Sequence, residues 1–338
     1  MRAIQEGRGQ AMIEQVATAT PGGISFGVPY EWVFVDGEFV PSEEARLSVL
    51  ANVVSYGTGT FEGIRATWNE EHRQLYLLEA EAHYERMGRS ARILGLELLF
   101  SPADLVALTR ELLRRNQVRA SAYIRPLLLL AGEQLAVRMH DSGSRLCIPA
   151  TPMPGDYINP DGVRCMVSTW RRSRDTAVPN RAKVIGSYVG PALAKTEAIR
   201  NGFDEALLLT ADGHVAEATT SNVLIRVGDE WATPPVTEDI LEGITRRQIM
   251  DLLREDFGIT VTQRRIHRSE LYACDEALLC GTAAIAAPVT EVDGRRVGDG
   301  RPGATTLAVQ RTLRAIARRD ERRHHDWTTP VYDEGEAL

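Results

Sequence analysis

The sequence predicts a mixed α/β chain of α+β character, built as two units that meet at a cleft. Two Asp-Gly turns predict part of this. Asp36-Gly37 and Asp212-Gly213 each separate a pair of short apolar runs, so each half of the chain contains a hairpin. Helical spacing recurs in both halves, as at residues 79–94 and 243–257. Between the halves, residues 149–160 are rich in Pro, Gly and Asp and read as a linker. The expected division is an N-terminal extension 1–30, a small α/β unit 31–148, the linker 149–160, a larger unit 161–325 and a tail 326–338.

The elements follow in order. Residues 33–40 form the first hairpin and 75–78 a short strand. His83, Met87 and Ala91 recur at four-residue steps within 79–94, the spacing of one helix face. Pro102 suits the first position of a helix over 103–115. Residues 121–131 are a strongly apolar, β-rich run, and 163–169 restart the sheet beyond the linker. A helix is expected over 188–200, then the hairpin 205–210 with 214–217, and a strand over 222–227. Next come a helix over 243–257, strands over 260–266 and 276–280, and an amphipathic helix over 305–318. There is no internal repeat.

Composition excludes several classes. The 338 residues are 43% hydrophobic and 25% charged, the profile of an ordinary globular protein. A formal charge of -7 gives no basic face for nucleic acid. No run of about 18 apolar residues suggests a membrane span. The first twenty residues lack the apolar core of a secretory signal. The four cysteines, Cys147, Cys165, Cys274 and Cys280, make neither a CxxC pair nor a disulfide framework, so a cytoplasmic location is expected. Seven histidines show no ligand spacing, and no metal is expected.

The most informative local feature is Lys183, followed five residues later by Tyr188 in Arg181-Ala182-Lys183-Val184-Ile185-Gly186-Ser187-Tyr188. Alone, a lysine is a surface charge. At the entrance to a helix within an apolar half-chain, it suggests an amine placed to form a Schiff base with an aldehyde such as pyridoxal phosphate. Such chemistry needs a phosphate cradle, a partner for the pyridine nitrogen and a clamp for a carboxylate. Gly243-Ile244-Thr245 opens a helix, whose free amides suit an anion. Arg125, within the apolar run, is costly to bury without an anion, and strand alternation would set it on the same face as Tyr123.

Seven segments, in order, resemble the class IV (fold-type IV) pyridoxal-phosphate aminotransferases, most closely the branched-chain amino-acid aminotransferases. They are Tyr56-Gly57-Thr58-Gly59-Thr60-Phe61-Glu62-Gly63-Ile64-Arg65, Ala122-Tyr123-Ile124-Arg125-Pro126, the segment Arg181 to Tyr188, Asn201-Gly202-Phe203-Asp204-Glu205-Ala206, the segment Glu217 to Asn222, Gly243-Ile244-Thr245-Arg246, and Cys280-Gly281-Thr282-Ala283-Ala284. The resemblance runs from about residue 33 to about 320.

The resemblance implies a two-domain fold with the active site at the domain interface, the larger domain carrying a barrel-like sheet. It implies pyridoxal 5′-phosphate as cofactor and Lys183 as the Schiff-base lysine that also moves protons. Glu217 matches the partner of the pyridine nitrogen, Tyr188 the partner of the phenolic oxygen, and Arg86 the phosphate arginine. Ile244, Thr245 and Thr282 complete the cofactor set. Tyr56, Phe61, Tyr123, Arg125, Thr282 and Ala283 match substrate positions. In relatives the equivalent of Tyr56 arrives from a neighbouring subunit, which implies a homodimer or larger assembly, and Val137 lies near another donated loop. The implied reaction is ping-pong transfer of an amino group from an apolar, branched-chain L-amino acid to a 2-oxo acid such as 2-oxoglutarate.

The match has departures. Relatives carry glycines after the pyridine-binding glutamate, where this chain has Ala218-Thr219-Thr220-Ser221. β-Branched residues there add bulk and stiffness. Ile185 and Ser187 also replace commoner residues of the lysine loop. Other readings within the fold are a D-amino-acid or amine transaminase, or an aminodeoxychorismate lyase. A reading of another class is a cofactor-binding homologue without turnover.

Overall fold

The computed structural model describes residues 27–333 except 134, 141, 154–158 and 160. Most of the expected N-terminal extension, the middle of the expected linker and residues 334–338 of the tail lie outside the described residues.

The chain begins with the hairpin β1 (Trp32–Val35) and β2 (Glu38–Pro41). A short helix α1 (Asn52–Tyr56), strands β3 (Gly59–Phe61), β4 (Ile64–Asn69) and β5 (Gln74–Leu78), and helices α2 (Ala80–Leu94) and α3 (Pro102–Arg115) follow. Strands β6 (Ala122–Ile124), β7 (Leu127–Leu130), β8 (Ser144–Ile148) and β9 (Ala150–Pro152) complete the first half. The second half runs β10 (Val163–Arg171), α4 (Val189–Arg200), β11 (Glu205–Leu209), β12 (Val215–Ala218), β13 (Asn222–Val227) and β14 (Glu230–Thr233). Then come α5 (Ile244–Phe257), β15 (Val261–Gln263), β16 (Glu276–Gly281), β17 (Ile285–Val292), β18 (Arg295–Arg296), α6 (Ala304–Arg318) and β19 (Thr328–Pro330).

The first half builds two five-stranded sheets, in the orders β2-β1-β8-β7-β3 and β19-β5-β4-β6-β9, the second completed by β19 from the far end of the chain. Helices α2 and α3 close over them around Phe34, Ile64, Leu77, Tyr84, Met87 and Leu112, all buried. Ser101 and Asp104 form a reciprocal capping box at the start of α3, with Pro102 in its first turn. The second half is a nine-stranded sheet in the order β12-β11-β10-β17-β16-β13-β14-β15, with β18 on β17. Every residue of β11 is buried, because α4 covers it through Ala194 and Ala198. A strand covered on both faces loses polar alternation. Helix α6 packs on β16 and β17 and also on β4 and β5, which ties the halves together.

Both Asp-Gly hairpins form in the expected places. The apolar run 121–131 is not one strand. It breaks at Arg125-Pro126, and β6 and β7 belong to different sheets. Proline has no N–H for a ladder, and the Pro126 carbonyl instead accepts from Glu62 N at 2.8 Å. The strand expected over 260–266 is only Val261–Gln263. Ala150–Pro152, inside the segment read as a linker, pairs with β6. Pro288 disguises β17 in the sequence, because proline argues against a central strand. The pairing of β17 with β10 begins one residue later, at Val163 opposite Val289, so the missing donor falls beyond the end of β10.

Candidate active site

Lys183 sits between the two halves. Its carbonyl accepts from Phe61 N at 3.1 Å and from Thr60 Oγ1 at 3.0 Å, and its N–H donates to Ser90 Oγ at 3.1 Å. A single 3₁₀ turn, Ile185–Tyr188, follows and brings the tyrosine back over the lysine. Lys183 Nζ donates to the Tyr188 hydroxyl at 2.6 Å. The edge of the Phe61 ring meets Tyr188 at 4.8 Å between centroids, and Nζ lies 4.8 Å from the Phe61 centroid. The loop is seated by glycine against glycine. A Cβ on Gly57, whose φ is +65°, would stand 2.7 Å from Gly186 Cα.

Two adjoining cavities share this lysine. The first, about 480 Å³, is lined by Arg86, Lys183, Tyr188, Glu217, Ile244, Thr245 and Thr282 among others. Seven residues expected from the sequence to surround a cofactor thus meet in one place. Glu217 is buried, and Arg172 Nη2 lies 3.0 Å from its Oε1. Its Oε2 accepts from Asn222 Nδ2 at 3.0 Å and from Leu241 N at 3.1 Å. Burial raises the Glu217 carboxyl above its ordinary range, and Arg172 and the Leu241 amide oppose the rise. Helix α5 starts at Gly243 with no side-chain cap, so its first amides keep no side-chain acceptor. A Cβ at Gly243 would overlap Asn222 Oδ1. Burial pushes the neighbouring Cys280 thiol up to about 12, far from a reactive thiolate.

Arg86, on α2, is held by three hydrogen bonds. Its Nε donates to Glu62 Oε1 and its Nη2 to Glu62 Oε2, both at 2.7 Å. Its Nη1 donates to Glu242 O at 2.9 Å, shortly before α5 begins. His83 Nδ1 lies 2.7 Å from Glu62 Oε2.

The second cavity, about 650 Å³, is lined by Phe61, Tyr123, Arg125, Lys183, Tyr188, Thr282 and Ala283 among others. The Arg125 guanidinium lies 4.8 Å from the Phe61 ring centroid and 5.1 Å from that of Tyr123. Its Nε is buried without a hydrogen-bond partner. Arg125 directly follows the last residue of β6 and lines the same cavity as Tyr123. The Tyr123 hydroxyl rests on Gly63, where a Cβ would overlap it. Arg65 reaches across from β4 and donates to Thr282 O at 3.1 Å and Ala283 O at 2.8 Å. The turn ends at Ile285, a β-branched residue held at φ +57°.

Tyr56 is 41% exposed on α1 and Val137 is 73% exposed; neither lines these two cavities. Sequence reasoning missed Arg172, Glu62 and Arg65. Arg172 hides in the run Arg171-Arg172-Ser173-Arg174, which reads as surface charge. Glu62 and Arg65 flank Gly63-Ile64 in a segment dominated by glycines and aromatics.

This arrangement brings an amine, an uncapped helix start and a buried carboxylate together on a scaffold of two joined α/β halves. The family model for class IV amino-transferases matches residues 59–292, and the chain belongs to that family. It is 43% identical over 304 residues to a probable branched-chain-amino-acid aminotransferase of Aquifex aeolicus, covering 90% of this chain and 97% of the relative. Among solved structures, the branched-chain aminotransferase of Thermoproteus uzoniensis with norvaline superposes with a TM-score of 0.86 at 38% identity, over 90% of this chain and all (100%) of that one. The branched-chain amino acid aminotransferase of Thermobaculum terrenum, in its PLP form, superposes at 0.86 with 31% identity, over 90% and 99% of the two chains. The similarity thus points within the class to the branched-chain group.

Proposed function

We propose that this chain transfers the amino group of an apolar, branched-chain L-amino acid to a 2-oxo acid such as 2-oxoglutarate, using pyridoxal 5′-phosphate. One observation carries the reading. Lys183 Nζ, 2.6 Å from the Tyr188 hydroxyl, lines both a cavity with a buried carboxylate and an anion seat and a second cavity walled by aromatics and an arginine.

The residues fit the cofactor. The uncapped first turn of α5, with Arg86, suits the phosphate, and Thr245 adds a hydroxyl. The buried Glu217 suits a protonated ring nitrogen. When bound, the cofactor supplies an electrophilic carbon for amines and a ring that withdraws electrons from the substrate α-carbon. Lys183 Nζ would be the group that moves a proton on and off that carbon. Tyr188 orients Nζ through its hydroxyl. Glu217, steadied by Arg172 and Asn222, would hold a proton on the ring nitrogen. Phe61 and Tyr123 wall an apolar side chain, and the unpartnered Arg125 Nε offers a donor to a carboxylate.

Tyr56 and Val137 are assigned to the site of a neighbouring copy in a homo-oligomer, since both are exposed. A cytoplasmic location suits four unpaired cysteines. The reading draws further support from relatives whose structures hold norvaline or are in the PLP form.

The test is reconstitution with pyridoxal 5′-phosphate, followed by L-leucine, D-alanine and a chiral amine, each with 2-oxoglutarate. Wild type gains a visible absorbance band that L-leucine bleaches, and Lys183→Ala gains neither band nor turnover. A colourless protein, or turnover that survives the loss of Lys183, refutes the proposal.

A further inference from the structure

We infer that Glu62 is a positioning residue that aims Arg86 at the cofactor phosphate, with His83 as its brace. The inference rests on the reading of Arg86 as a phosphate ligand. Glu62 lies in the turn between β3 and β4 and is 0% exposed, and Arg86 and His83 are 4% and 3% exposed. The carboxylate grips one edge of the guanidinium through Nε and Nη2, both at 2.7 Å. The Glu242 carbonyl holds Nη1 at 2.9 Å. These three bonds fix the plane of the group beside the first turn of α5. Of the five N–H donors of an arginine, they leave one on each terminal nitrogen for an anion.

The carboxylate is in turn fixed. An ionised carboxylate only accepts, so the His83 Nδ1 at 2.7 Å carries the hydrogen and donates. Burial lowers His83 and disfavours its charged form. The brace therefore adds a hydrogen bond without a second cation. The buried set of Glu62, His83 and Arg86 carries no net charge before an anion arrives. Its value to a phosphate is geometric.

This gives the inference a sign that plain electrostatics reverses. Replacing Glu62 by glutamine removes a negative charge beside Arg86. If charge governed phosphate binding, Glu62→Gln would bind the cofactor more tightly. If positioning governs it, binding weakens, and only for ligands that carry the phosphate.

The experiment titrates the apo forms of wild type and Glu62→Gln with pyridoxal 5′-phosphate and with pyridoxal, following cofactor absorbance, with thermal unfolding of each apo form alongside. Charged hydrogen bonds of this kind correspond to about tenfold or more in affinity. The expected result is a loss of that size for pyridoxal 5′-phosphate and no change for pyridoxal. Equal losses for both ligands, no loss for either, or tighter binding of the phosphorylated ligand would overturn the inference. A wild type that does not prefer the phosphorylated ligand would instead overturn the reading of Arg86. Should Glu62→Gln fail to fold, Glu62→Asp keeps the charge and shortens the reach. It is expected to show the same selective loss, and an equal loss or none overturns the inference.

Discussion

Arg172 Nη2 stands 3.0 Å from Glu217 Oε1, so this cavity-lining carboxylate is already bound by a cation that follows the last residue of β10. Both side chains are nearly dry, at 8% and 7% exposure. Burial works against the ionised Glu217 and Arg172 works for it. The other oxygen of the acid is held by Asn222 and Leu241.

Arg172→Met removes that support. The Glu217 carboxyl then rises further, so the proton it should leave to the ring stays on the acid to higher pH. The acid limb of the pH profile of kcat is expected to move upward. Breaking such a buried pair also costs about 3–5 kcal/mol of stability near neutral pH. The sign follows from linkage. An acid raised in the folded state disfavours folding above its folded pKa, and that penalty fades as pH falls. An acid limb identical in variant and wild type would contradict this role.

Tyr188→Phe deletes the hydroxyl that bonds Lys183 Nζ at 2.6 Å, while keeping the ring against Phe61. A hydrogen bond of this kind is worth about 0.5–1.5 kcal/mol, or roughly 2–10-fold in rate. The expected result is a fall in kcat of that order with little change in KM and an altered absorbance maximum. Steady-state kinetics with an absorbance spectrum decide it. A change in KM alone would show that the hydroxyl serves binding, not proton transfer.

Gly243→Ala is expected to be severe for a steric reason. The added Cβ overlaps Asn222 Oδ1, and Asn222 is the residue that bridges Glu217 Oε2 to Leu241 O. Moving it removes one of the two donors to Glu217 Oε2 and shifts the start of α5. Both stability and cofactor affinity should fall, by about 1–3 kcal/mol in stability. Gly190→Ala is the control, since nothing lies within 4 Å of its added Cβ. Equal effects at the two positions would refute the steric account.

Glu62 predicts a pH-dependent stability. Burial alone would raise its carboxyl, but Arg86 and His83 outweigh burial and hold it well below the ordinary carboxylate range. A lowered acid binds fewer protons folded than unfolded. Its contribution is therefore complete above the unfolded value of about 4.3 and drains away as pH falls toward the lower folded value. Urea unfolding of wild type and Glu62→Gln should differ by about 3–5 kcal/mol at neutral pH. The gap should narrow steadily once the pH drops below about 4. A gap independent of pH would mean that the charge is not what stabilises the junction.

Much of the fold was legible because its signals are local. The turn at Asp212-Gly213 sits between two apolar runs and needs no distant partner to form a hairpin. The α3 cap is written in four consecutive positions, Ser101 to Asp104. Strand β17 was not legible, because its proline is tolerated only through where β10 happens to end. The run 121–131 likewise reads as one strand until two separate sheets claim its ends.

By itself the sequence determined where the expected site residues fall along the chain: Lys183 and Tyr188 five residues apart, a helix opening at Gly243, and Glu217 closing a hairpin. These depend on spacing along one chain, which the covalent backbone fixes. Tertiary structure alone decided what supports them. Arg172 comes to Glu217 across 45 residues, Glu62 to Arg86 across 24, and Arg65 to Thr282 across 217. Such pairs form only when sheets and helices have packed, because a buried charge finds its partner through space and leaves no periodic trace in the order of residues.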